Sequence, residues 1–203
     1  MTHVTWQCEC SLVEAKVPAS GNRIICYCES CREFVAKLGC ADRLDDQGGN
    51  ELLQAQPKEV TITKGTERLV YTRLTEKGPA RWYARCCNTP MANTLTTRAL
   101  PFASFQVHDL EPKDALPPIL GAVNLSGATG RVDLAERMAA PTKYRRDTDA
   151  IPTRKIPSQR RTALRFVASV LGTAVSAYLT GKVKQNPFFD ASGAPIGPRQ
   201  DII

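Results

Sequence analysis

Seven of the eight cysteines in this 203-residue chain stand in three tight groups: Cys8 with Cys10, then Cys26, Cys28 and Cys31, then the adjacent pair Cys86 and Cys87. Any fold of the chain must account for that clustering. A soft tetrahedral ion needs four donors converging from separate segments, and a C-x-C or C-x-x-C supplies two of them from one bend while a distant pair closes the cage. The pattern therefore reads as zinc ligation, with about two ions per chain. Cys40 stands alone.

An even count of eight also permits a disulfide framework. Disulfide-dense domains are usually short and secreted, however, and this chain opens Met-Thr-His-Val-Thr-Trp-Gln, with neither a basic nor an apolar leader region. The expectation is a cytoplasmic protein with reduced thiols. Charge is unevenly spread. Residues 1–140 hold 16 Lys and Arg against 16 Asp and Glu, whereas residues 141–203 hold 11 Lys and Arg against 4 Asp and no Glu. The whole net charge of +7 belongs to the tail. The longest uncharged stretch there, between Arg165 and Lys182, has 16 residues. That is short of the roughly 20 needed to span a bilayer, so no transmembrane segment is expected.

Trp6 to Val17 and Arg23 to Cys28 read as strands around a turn at Pro18 to Asn22, because apolar and β-branched residues flank a Pro/Gly/Asn cluster. Arg32 to Leu38 has helical character with Gly39 as its stop, which sets Cys31 at a helix start, where the dipole favours thiolate. Asp42 to Gln56 is polar and reads as loop. Strand patterns return over Glu59 to Lys64, Arg68 to Leu74, Ala80 to Cys87 and Phe102 to Val107. The expected fold is mainly β, small antiparallel sheets pinned by zinc, with a C-terminal helical extension. Residues 1–112 form the zinc-binding β domain and 113–140 a connection, with a short helix over Leu134 to Ala140. Residues 141–203 form a basic linker, an amphipathic helix on the stripe Leu164, Val167, Leu171, Ala174 and Tyr178, and an apolar tail at Asn186-Pro-Phe-Phe. Docking of that helix on its own body comes first, self-association into a homodimer second and a membrane surface third.

The succession Cys8-Glu-Cys10-Ser-Leu-Val, Cys26-Tyr-Cys28-Glu-Ser-Cys31-Arg32, Lys64-Gly65 and Arg81-Trp-Tyr-Ala-Arg-Cys86-Cys87-Asn-Thr-Pro90 resembles the glutathione-dependent formaldehyde-activating family, which includes centromere protein V. The resemblance spans about residues 6–110. It implies a β-tent of zinc-pinned sheets with a closed structural site, to which Cys8, Cys10 and Cys87 correspond, and a second zinc on Cys26, Cys28 and Cys31 with an exchangeable fourth position. Two departures stand out. The family's late C-x-x-C would put Ala84 at a ligand position, and Ser11 and Asn88 replace glycines that are usual there. Neighbours in a regular strand face opposite ways. A fourth donor is needed beside Cys8, Cys10 and Cys87, and Cys86 is the nearest, so the expectation is a sharp turn at Cys86-Cys87 that sets both sulfurs on the first zinc with Cys40 unligated; a regular strand would instead send Cys86 to the second site or leave it a free thiol.

Three protein donors with one vacancy is the catalytic zinc arrangement. The resemblance then implies a carbon–sulfur lyase-type activity on thiol adducts of small aldehydes, glutathione with formaldehyde being the family's reaction, with the substrate thiolate at the open position. His108 is the better of two histidines for a general base, beside its ordinary reading as a hydrogen-bonded residue. Arg32 suits a substrate carboxylate, or a solvated ion pair. The rival class is a non-catalytic zinc-stabilised module whose basic arm meets anionic partners. Nucleic acid is disfavoured, since the arm holds one aromatic, Tyr144, and no DNA-binding motif.

Overall fold

In a computed structural model, which describes residues 2–97, 101–133 and 185–202 together with seven helical positions between 164 and 179, the chain begins as a hairpin. Strand β1 (His3–Gln7) turns Val4 and Trp6 inward and β2 (Glu14–Pro18) does the same with Ala15 and Val17, the period-2 alternation of a sheet with one wet face. The segment expected as one strand from Trp6 to Val17 is therefore interrupted. Between Gln7 and Glu14 the chain reverses: the Ser11 N–H donates to the Cys8 carbonyl at 2.8 Å and the Cys8 N–H to that of Val13 at 3.1 Å. With β5 (Thr61–Lys64) and β10 (Leu110–Glu111) the hairpin forms a four-stranded antiparallel sheet in the order β10-β1-β2-β5.

The second sheet has seven strands. They are β3 (Asn22–Cys26), β4 (Asn50–Ala55), β6 (Leu69–Thr72), β7 (Ala80–Ala84), β8 (Thr89–Thr94), β9 (Ala103–Gln106) and β11 (Ile119–Val123), ordered β11-β3-β4-β9-β8-β7-β6. Every pairing is antiparallel except that of β11 with β3. Two sequence expectations are corrected here. Asp42 to Gln56, expected as loop, supplies β4, a central strand whose Asn50 and Gln54 are buried together with Leu52 and Leu53; both faces are covered, so no polar alternation marks it. The connecting segment 113–140 contributes β11.

The main core lies between the sheets, where Trp6, Val13 and Leu110 meet Leu53, Trp82, Met91 and Phe105. On the other face of β6 and β7, helix α1 (Glu29–Lys37) buries Phe34 and Val35 beside Tyr83 and Val70. Gly39, at φ 79°, stops the helix as expected, its N–H donating to the Ala36 carbonyl.

The C-terminal residues return to this body. Phe188 is fully buried, its ring 5.0 Å from Trp82 and 6.1 Å from Phe105, and the Tyr71 N–H donates to the Pro198 carbonyl while the Gln200 N–H donates to that of Tyr71. Residues 198–200 thus cover the open edge of β6. At the described positions of the helix preceding the tail, the expected docking on the body is not seen. Leu164, Leu171, Val175, Tyr178 and Leu179 are 57–83% exposed. The expected helix Leu134 to Ala140, the basic arm up to 163, and Val167 and Ala174 lie outside the described residues. Among the described residues no helix is long and apolar enough to cross a membrane.

Candidate metal centres

Two turns build the first group. Cys8 and Cys10 lie in the β1–β2 turn and Cys86 and Cys87 in the β7–β8 turn, so one cluster joins the two sheets. The sulfur separations are 3.6 Å for Cys8–Cys10, 3.9 Å for Cys8–Cys86, 3.3 Å for Cys10–Cys86 and 3.8 Å for Cys86–Cys87. Zinc–sulfur bonds of about 2.3 Å in a tetrahedron set sulfur–sulfur edges of about 3.8 Å, so the donor set fits such an ion. Strand β7 ends at Ala84. The chain then turns, with the Cys87 N–H donating to the Ala84 carbonyl and Asn88 at φ 56°, and this turn puts both late sulfurs on one side.

The surroundings of the first group hold its sulfurs in place. The Val13 N–H donates to Cys8 Sγ at 3.2 Å. Thr89 Oγ1 accepts from the Glu9 N–H at 3.0 Å, leaving its hydroxyl hydrogen for Cys87 Sγ at 3.1 Å. Burial pushes the Cys87 thiol up, but hydrogen bonds from Thr89 and Cys10 outweigh it and bring the thiol down to about 7. Burial raises Cys8 and Cys86. Cys40 belongs to neither group: its thiol faces the Leu38 and Asn88 carbonyls at 3.7 and 3.6 Å.

The second group sits at one end of β3. Cys26 closes that strand, Cys28 is the N-cap of α1 and Cys31 lies in its first turn; the three sulfurs fall within 4.8 Å of one another, with Cys26 and Cys28 3.4 Å apart. Hydrogen bonds from Cys26 and Cys31 hold the Cys28 thiol well below the ordinary thiol range, while the same contacts push Cys31 up. Three neighbours missed in the sequence surround the group. Asn124 Nδ2 donates to Cys26 Sγ at 3.4 Å, Arg81 Nη1 approaches Cys31 Sγ at 3.7 Å, and Ser30 Oγ lies 3.9 Å from Cys28 Sγ. Asn124 has φ 56°, a conformation asparagine tolerates, within a Pro/Gly-rich stretch that signals only a turn.

The other candidate residues lie elsewhere. Arg32 donates from Nη1 to the Gly127 carbonyl at 2.7 Å, fastening α1 to the 124–128 turn. His108 follows β9 in a short 3-10 turn, where Arg43 Nε approaches its Nδ1 at 3.3 Å and pairs with Asp109 at 3.1 Å. Lys113 holds that turn from below, donating to the Val107, His108 and Leu110 carbonyls. Neither His108 nor Arg32 is part of a cysteine group.

Fold and sites together define a mainly β protein with two cysteine groups placed to hold metal ions. The chain belongs to the family of unknown function DUF6151, which it matches over residues 1–197. Among solved structures it is similar to a protein of Rhodobacter sphaeroides, with 18% identity and a TM-score of 0.41 over 58% of this chain and 98% of that one. No curated protein matches.

Proposed function

We propose that the chain is a zinc-dependent carbon–sulfur lyase-type enzyme acting on thiol adducts of small aldehydes, of the glutathione type. The observation that supports it is the contrast between the groups: four sulfurs converge at the first, three at the second. Four saturate a tetrahedral ion, and three leave a position for a ligand from solution. A zinc ion held by Cys26, Cys28 and Cys31 would supply Lewis acidity and keep a substrate sulfur ionised at neutral pH. The resemblance to the formaldehyde-activating family supplies the substrate class.

The chain's own contribution is to hold that donor set. Asn124 and Arg81 fix the Cys26 and Cys31 sulfurs from outside, and the start of α1 presents Cys28 and Cys31 where its dipole favours negative charge. In the forward direction a sulfur–carbon bond forms at the aldehyde carbon, and the thiol proton ends on the aldehyde oxygen. Cleavage reverses both. All eight cysteines are unpaired, which supports a reducing, cytoplasmic setting.

Protein purified without added zinc should contain about two zinc ions, one of which a chelator removes first and glutathione protects. Glutathione and formaldehyde should then give hydroxymethylglutathione, and Cys28→Ser should abolish turnover while retaining one zinc. Turnover unchanged by Cys28→Ser rejects this site. Two zinc ions equally resistant to chelator, with no effect of thiol, favour the second reading: a zinc-stabilised module whose exposed helical stripe and basic arm meet an anionic partner or a second copy.

A further inference from the structure

Arg81 lies in β7 and is 2% exposed. A guanidinium keeps its charge inside a protein, and a buried charge is stable only with compensation. Its contacts are few. Nη2 donates to Ser30 Oγ at 2.6 Å, Nη1 donates to Asn93 Oδ1 at 2.9 Å and faces Cys31 Sγ at 3.7 Å, and the Phe34 ring lies 5.4 Å away. Nε meets no acceptor among the described residues. The other well-buried arginines find carboxylates, Arg23 with Glu51 and Arg43 with Asp109. Among the described residues no carboxylate pairs with Arg81, so the one group beside it that can carry negative charge is the cysteine set.

We propose that Arg81 is the counter-charge of the second metal centre: a positioning residue whose guanidinium balances the three-thiolate site when it is loaded and orients the Cys31 sulfur. The proposal rests on the reading of Cys26, Cys28 and Cys31 as a metal site. Three thiolates around a divalent ion carry a formal charge of about −1, which a single guanidinium neutralises. Ser30 and Asn93 take up the remaining donors and aim the fork, so α1, β7 and β8 all contribute to where the positive charge sits. A tie between helix and strand alone would need only the hydrogen bonds, and a neutral side chain would serve.

The test compares Arg81→Gln, which keeps a polar head without charge, with Arg81→Lys, which keeps the charge without the fork. Zinc is the probe, in the full-length, zinc-loaded protein. Arg81→Gln should release the second zinc at roughly tenfold lower chelator concentration, with the first zinc unchanged and Arg81→Lys intermediate. In a double-mutant cycle, Arg81→Gln should lower Tm by roughly 5 °C in the wild-type chain and by clearly less in a Cys31→Ser background, where the charge it balances has gone and only the Ser30 and Asn93 hydrogen bonds are lost. Equal losses of Tm in both backgrounds, or unaltered release from Arg81→Gln, overturn the proposal while leaving the metal site intact. A tenfold easier loss in Arg81→Lys overturns it as well. A wild-type chain that holds a single zinc overturns the metal reading first, and this proposal with it.

Discussion

Ser11 and Asn88 adopt φ values of 59° and 56°, the left-handed region that costs an L-residue about 1–2 kcal/mol and costs glycine nothing. These are the two positions where the resemblance implies glycine, and each shapes a turn that carries sulfurs of the first group. Asparagine tolerates the region better than serine, so the larger strain sits at Ser11. Ser11→Gly should raise Tm by about 2–4 °C, after the greater chain entropy of glycine is subtracted, with zinc content unchanged. A fall in Tm would count against the turn as described. At Cys86 strand alternation and a shared metal demand opposite geometries, and the need for a fourth donor favours a turn. The turn after Ala84 brings the Cys86 sulfur into the first group. Cys86→Ala should therefore lose one zinc and a large part of the stability, structural zinc contributing on the order of 10 kcal/mol; a retained first zinc with unaltered Tm refutes Cys86 as a donor.

At the scale of elements, the sequence revealed what has a strong local signal. The start of α1 was legible because three cysteines precede an apolar run that Gly39 ends, and β1, β2 and β5 of the smaller sheet were legible because they alternate. Strands β4 and β8 of the larger sheet were not. Strand β4 carries Asn50, Glu51 and Gln54, and β8 carries Pro90 and Asn93, residue types that signal loops; burial on both faces and pairing with distant strands override them. The second group depended on such hidden elements, since Asn124 and Gly127 lie just past β11. A Cβ on Gly127 would meet the Tyr27 carbonyl oxygen at 2.4 Å, so this turn packs directly on the Tyr27-Cys28 backbone. Gly127→Ala should push the turn away, break the Asn124–Cys26 contact and weaken the second zinc by roughly tenfold, with the first unaffected. Chelator titration of the two zinc ions reads it, and equal weakening of both would show a general loss of fold instead.

Across the whole molecule the two groups hold different things together. The first joins the four-stranded sheet to the seven-stranded one; the second fastens α1 within the larger sheet's own neighbourhood. Loss of the first metal should thus unfold the body cooperatively, whereas loss of the second should leave most of the circular dichroism spectrum in place. The core also depends on residues far along the chain. Phe188→Ala empties a site between Trp82 and Phe105 and should cost about 3–5 kcal/mol, measured by urea unfolding. A loss under about 1 kcal/mol would show that the tail merely rests on the surface. During synthesis this order has a price in time. Every cysteine has been translated by residue 87, yet Trp82 has no lid until residue 188 leaves the ribosome. A nascent chain in that interval offers an aromatic patch to chaperones and proteases, and a stop codon just before Asn186 should yield a product that is cleared although it carries both cysteine groups.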